Sequence, residues 1–118
     1  MKNQNKIKGD IGEEKAISFL LDKGYKILEK NYTTKTGEID IIAKDKDIIV
    51  FIEVKSRLNS KYGNPYEAVH LKKQRKIINT AKLYVKYNKL YNTQFRFDII
   101  EIYVDENRLN HIPNAFWT

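Results

Sequence analysis

A nearly unbroken apolar strand, Ile48-Ile49-Val50-Phe51-Ile52 with Glu53-Val54-Lys55 behind it, is followed by an amphipathic segment from Leu71 to Lys89 and then by a strand-like run from Phe95 to Val104. A strand apolar on both faces needs cover on both sides, and two strands joined through a helix pair in parallel by a right-handed crossover. That succession restricts the chain to an α/β architecture, a mixed sheet clad by helices. Asp10-Ile11-Gly12-Glu13-Glu14, ahead of Ala16, Ile17, Phe19, Leu20 and Leu21 and with Gly24 beyond, predicts a helix with acids in its first turn. Tyr25 to Glu29 alternates roughly as a short strand, and Glu38 to Ala43 with Ile48 to Lys55 predict a hairpin about the polar turn Lys44-Asp45-Lys46-Asp47. Ser56 to Pro65 reads as the longest loop, and Arg108 to Ile112 as a last short strand. The expected order is α-β-β-β-α-β-β, and 118 residues fit one domain over 1–118.

Charge singles out one of these elements. The chain has 22 Lys+Arg against 15 Asp+Glu, a formal net charge of +7. Between Ala68 and Tyr91 stand Lys72, Lys73, Arg75, Lys76, Lys82, Lys86 and Lys89, and no acid. Removing those cations from the total of 22 leaves 15, matching the 15 acids, so this one segment carries the whole excess. Leu71, Ile77, Ile78, Ala81, Tyr84 and Val85 give it an apolar stripe at helical spacing. Solvated helices ordinarily mix signs to gain pairs at i, i+4. A face of one sign is easier to understand if phosphates neutralise it, which predicts a nucleic-acid partner. Cys is absent, which excludes disulfides, thiolate metal sites and cysteine nucleophiles and suits a cytoplasmic location. No apolar run approaches the roughly 20 residues of a membrane span, and Met1 to Lys8 has no secretory pattern, so no membrane partner is expected.

Two acids sit where apolar strands should continue. Glu53 and Lys55, two residues apart, share one strand face. Asp40 interrupts Gly37-Glu38-Ile39-Asp40-Ile41-Ile42, and the hairpin can bring it near Glu53. The plain alternative is a surface ion pair of Glu53 and Lys55 at a strand edge, with Asp40 a solvated alternate position. Two carboxylates held together repel unless a cation lies between them, which points to a divalent-metal site. Glu13 is a further candidate, although an acid at a helix start also suits the helix dipole. His70 and His111 are lone residues with no assigned role. Tyr84, Tyr87 and Tyr91 recur at helical spacing, where Tyr84 suits packing on the sheet and the others allow base stacking. Phe116-Trp117 reads as a docking or dimer contact more than as a site.

Gly9-Asp10-Ile11-Gly12-Glu13, Gly37-Glu38-Ile39-Asp40-Ile41-Ile42-Ala43, Phe51-Ile52-Glu53-Val54-Lys55-Ser56-Arg57 and Ala68-Val69 through Lys73-Gln74 resemble the YraN-like uncharacterised protein family of bacteria. That family in turn resembles the archaeal Holliday junction resolvases and the PD-(D/E)xK nucleases, with their restriction-endonuclease-like fold. By this resemblance Asp40 matches the motif's aspartate, Glu53 its second acid, Lys55 its lysine, Glu13 the acid of the first helix and Gln74 the glutamine of the following helix. Ile39 stands where the motif often has proline.

The resemblance implies metal-dependent hydrolysis of DNA phosphodiester bonds, selective for branched structures, and a homodimer that cuts two strands symmetrically. Asp40, Glu53 and the Val54 carbonyl are then the expected ligands of one Mg²⁺ or Mn²⁺. Lys55 would position or deprotonate the attacking water, Glu13 would orient a water or hold a second metal, and Gln74 would bind a phosphate or a metal-bound water. Arg57, Lys61, Lys72, Lys73, Arg75, Lys76 and Lys82 are the expected phosphate contacts. The competing expectation is a nucleic-acid-binding module of the same fold that does not cut. A third is a basic face that meets an acidic protein or membrane surface.

Overall fold

The structure is a computed structural model that describes residues 4–57 and 70–117, with side chains from residue 11 onward. Its elements are α1 (Gln4–Asp22), β1 (Lys26–Thr34), β2 (Gly37–Asp45), β3 (Ile48–Arg57), α2 (Leu71–Tyr87), β4 (Gln94–Tyr103) and β5 (Arg108–Phe116). The five strands form one sheet in the order β1-β2-β3-β4-β5, antiparallel throughout except for the parallel pair β3–β4. This is the α-β-β-β-α-β-β order and the mixed sheet expected from the sequence. Lys61 and the rest of 58–69 lie outside the described residues; of the expected loop only Ser56 and Arg57 are described, and both belong to β3. Among the described residues no helix is long and apolar enough to cross a membrane.

The two helices take opposite faces. Ile77, Ala81 and Tyr84 of α2 pack on Ile39, Ile42, Ile49, Phe51 and Phe97. Ala16 and Leu20 of α1 pack on Ile41, Val50, Ile52, Ile100 and Ile102. Strand β3 thus feeds alternate residues to two cores, which is why its sequence is a continuous apolar run.

Three elements run four or more residues past their expected ends. Helix α1 begins at Gln4, so it has no acid in its first turn and Glu13 stands mid-helix, beyond the reach of the N-terminal dipole. No proline interrupts Gln4 to Lys8, and Lys and Gln are good helix formers, so the helix continues backward past Asp10. Strand β1 runs on to Thr34 across a bulge between Ile27 and Glu29. Strand β5 passes through Pro113, which an edge strand tolerates because one side of it makes no ladder bonds. At the other end of α1, Gly24 takes φ +89 while Tyr25 N–H donates to the Leu20 carbonyl at 2.9 Å, a glycine-terminated helix end.

A buried polar knot ties β5 to β4 where their register shifts between Phe97 and Ile99. Asp98, fully buried, accepts from Arg96 Nε and Nη2 at 2.9 Å each and from Asn114 N–H at 2.9 Å, and lies 2.7 Å from His111 Nε2. Burial alone would raise the Asp98 carboxyl, but the His111 and Arg96 hydrogen bonds outweigh it and hold the group below its usual range. His111, lone in sequence, has a structural partner. Buried Glu101 likewise accepts from Tyr103 Oη at 3.3 Å and from Asn110 Nδ2 at 2.9 Å.

Helix α1 lies tight against β3 at Gly12, where an added Cβ would clash with Ser56 Oγ and fall 3.2 Å from Ser56 Cβ. On an open helix Gly→Ala would stabilise by about 1 kcal/mol. Here we expect Gly12→Ala to destabilise by roughly 1–3 kcal/mol, as overpacking does, and Gly12→Ala/Ser56→Ala to recover most of the loss in chemical denaturation. Destabilisation that the second change leaves untouched would place the cause elsewhere.

Candidate functional site

The β2–β3 ladder runs from Asp45↔Ile48 to Ile41↔Ile52 and ends there. Beyond that point β2 stays with β1 down to Gly37↔Thr34, and β3 stays with β4 out to Arg57↔Tyr103. The sheet therefore splits, and the split begins at Asp40. Ile39 and Ile42 face the α2 core while Ile41 faces the α1 core, so the strict alternation of a strand breaks between Ile39 and Ile41. The Asp40 carboxylate fills the gap: its Oδ2 accepts the Val54 N–H at 2.8 Å, a donor that a continuing ladder would have used.

Glu53, buried, extends from β3 toward α2, and Lys73 reaches down from that helix to place Nζ 2.6 Å from Glu53 Oε1. Gly37, Glu38, Asp40, Glu53, Lys73 and Lys76 line a pocket of about 150 Å³. From the other face, Glu13 of α1 approaches near enough for its charge to act on Asp40. Asn31, at φ 52 on β1 and with its amide NH₂ turned to the two acids, donates to Glu13 Oε1 at 2.7 Å and to Glu38 Oε1 at 3.0 Å.

These neighbours set the protonation chemistry. Burial first, and then the charge of Glu53, pushes the Asp40 carboxyl up to about 7, against the Val54 N–H that stabilises its ionised form. Lys55, on the Glu53 side of β3 and half-buried, is lowered from the usual lysine range by burial and by the nearby Lys73 ammonium. Burial works against the Lys73 charge as well, but its hydrogen bond to Glu53 outweighs that and raises it. The site is thus a pair of crowded carboxylates, one amine held charged and one made easier to deprotonate.

The structure brings Asp40, Glu53, Lys55 and Glu13 into one electrostatic neighbourhood. Gln74 stands beside Lys73 at the start of α2, half-buried, while the α2 walls of the pocket are Lys73, Lys76 and Ile77. Lys72, Arg75 and Lys82 are exposed on α2, and Arg57 ends β3 with its Nε buried. Lys73 differs from the expectation of a plain phosphate contact because it is the counter-ion of Glu53. On a helical wheel it is one lysine among several, and only the proximity of α2 to the sheet split picks it out.

Residues 12–102 match the model of the family described as uncharacterised protein family UPF0102. The chain belongs to that family. A UPF0102 protein of Clostridioides difficile is 60% identical over 112 residues, 95% of this chain and 98% of the relative. One from Clostridium perfringens is 52% identical over 120 residues, 98% of each chain. One from Caldanaerobacter subterraneus is 48% identical over 122 residues, 98% of this chain and all of the relative. The UPF0102 match covers both walls of the split sheet together with α2.

Asp40 offers a thermodynamic test. With its carboxyl near 7 in the fold and near 4 when unfolded, the native state holds the proton more tightly, so stability falls as pH rises between those values. Asp40→Asn should leave the melting temperature almost unchanged near pH 4 and raise it by several degrees at pH 8, a gain of order 1–3 kcal/mol. An equal effect at both pH values would show that the crowding of Asp40 is not electrostatic.

Proposed function

We propose that the protein is a metal-dependent endonuclease that hydrolyses DNA phosphodiester bonds, with branched or junction DNA as its substrate class. The observation that carries this reading is the pairing of half-buried Asp40 with buried Glu53 in the sheet split directly beneath a helix whose charged residues are all cations. The same walls would hold acids against a metal and a phosphate against cations.

The donor set suits a hard divalent cation. Burial, and after it the charge of Glu53, raises the Asp40 carboxyl to about 7, and the Lys73 ammonium already sits on Glu53, so the pair draws positive charge. Among the described residues no three Asp, Glu or His side chains are grouped to hold a metal ion. Asp40 and Glu53 would therefore act with the Val54 carbonyl and with water, a sparse ligand set that suits Mg²⁺ or Mn²⁺. Bound there, such a cation polarises the scissile phosphate and lowers the pKa of a water. Lys55, lowered by burial, orients that water and takes its proton, and as the ammonium it offsets charge on the transition state. Glu13 fixes Asn31 and adds negative charge beside Asp40. Lys72, Arg75, Lys76 and Lys82 bind the phosphates, and Gln74 adds a neutral hydrogen-bonding contact at the start of the helix.

A second reading has a specific observation behind it. The Lys73–Glu53 pair at 2.6 Å satisfies the carboxylate without a metal, as a DNA-binding module that does not cut would need. Cleavage separates the two. Purified protein with Mn²⁺ should nick four-way or flap DNA, and Glu53→Gln and Lys55→Ala should each cut the rate at least 100-fold while DNA affinity changes less than about threefold. Cleavage that survives in Asp40→Asn would overturn the site. Affinity has its own measure: each phosphate contact contributes about −0.9 to the log–log salt slope, so Lys72→Ala/Arg75→Ala/Lys82→Ala should flatten it by about 2.7. A wild-type slope near zero would remove nucleic acid as the partner.

A further inference from the structure

Helix α2 borders a second cavity that the carboxylate site does not use. Between this helix and the β4–β5 end of the sheet opens an apolar pocket of about 370 Å³, walled by Ile78, Val85, Phe51, Phe95, Phe97 and Trp117. That volume lies within the roughly 300–1,000 Å³ of sites that hold small ligands or single ligand groups. Its inner wall is ordered by ring contacts, Phe51–Phe97 at 5.3 Å and Phe51–Phe95 at 6.0 Å between centroids. The outer rings are left in water: Phe95 is 37% exposed and Trp117 71%. Lys82 also lines the pocket, and none of the described lining residues is acidic. Arg96, at its floor, is already committed to Asp98 and Tyr25.

We infer that this pocket receives an unpaired nucleobase of the strand whose phosphates lie along α2. Aromatic faces left open beside a cation suit a flat ring attached to a phosphate, and stacking of this kind accepts any base. The same helix joins the two sites, for Lys73 stands on Glu53 and Lys82 at the pocket. At 1.5 Å per residue they are roughly 14 Å apart along the axis, a reach of a few nucleotides. A second copy of the chain fits less well, because a two-fold contact here would set one acid-free helix against another. An aliphatic ligand would leave the Lys82 charge unanswered. The inference rests on the reading of α2 as a phosphate-binding face, and not on cleavage.

Trp117 is the only tryptophan in the chain, so intrinsic fluorescence reports this pocket directly. The protein would be titrated in EDTA, which keeps cleavage out of the measurement, with a thymidine oligomer and with an abasic oligomer of equal length. We expect saturable quenching of Trp117 by the first and binding weaker by about 5- to 100-fold for the second. Phe95→Ala should lose a similar factor; Phe95→Leu, which keeps the apolar packing, should lose it too if Ala disturbs the fold. Quenching by the thymidine oligomer in EDTA is expected whether or not the protein cleaves DNA with Mn²⁺. Equal affinity for the abasic strand, or binding seen by gel shift with Trp117 unmoved, would overturn the assignment. So would a Trp117 change that follows protein concentration without DNA, since that would mean a second copy covers the pocket.

Discussion

The separation of β2 from β3 beyond the Ile41↔Ile52 pair is the constraint on which the site depends. Strands that part leave donors without acceptors, and a buried N–H left so costs on the order of 1–3 kcal/mol. Asp40 removes that cost by accepting from Val54 through its side chain. One carboxylate thus keeps the split open and is held within it, beside Glu53. Its raised proton affinity follows from the same placement, first because the split buries it and then because a group that serves a backbone amide cannot move away from Glu53.

Much of this was legible in the chain. The apolar run of β3 followed by an amphipathic helix and another strand pointed to the parallel crossover, and the hairpin about Lys46 could bring Asp40 near Glu53. Interruption of an apolar strand by an acid was the signal for the site, and that signal is not specific. Asp98 and Glu101 interrupt β4 in the same way, yet each is satisfied by its own side-chain partners. What separates the two cases is long-range: Asp98 meets His111 and Asn114 from β5, whereas Asp40 and Glu53 meet each other and a lysine. No spacing rule within one strand contains that information. The start of α1 was missed for a different reason, since Gln4 to Lys8 carry no apolar period and only helix propensity extends the element across them.

Lys73 shows how a charge can belong to two accounts at once. By sequence it is one of the cations that give α2 its single sign, and by geometry it is the partner of a buried acid. Under the proposed function, a phosphate arriving on α2 and a cation arriving at Glu53 would both act on this amine, the first by attracting it and the second by replacing it. Affinity for the two would then be linked through one side chain, in the manner of any pair of ligands that share a group.

The parallel β3–β4 ladder, ten residue pairs from Ile48↔Gln94 to Arg57↔Tyr103, also bears on how the chain reaches this structure. The β1–β2–β3 meander closes through short turns, but β4 can join only after the segment between residues 57 and 94 has been looped back, and such non-local pairing is slow. Helix α2 lies inside that loop, and its like charges at i, i+4, Lys72 with Lys76 and Lys82 with Lys86, oppose its formation in isolation. The late step of assembly is thus burdened by the like charges of α2. A polyanion that quiets those repulsions would act on the folding rate as well as on the folded protein.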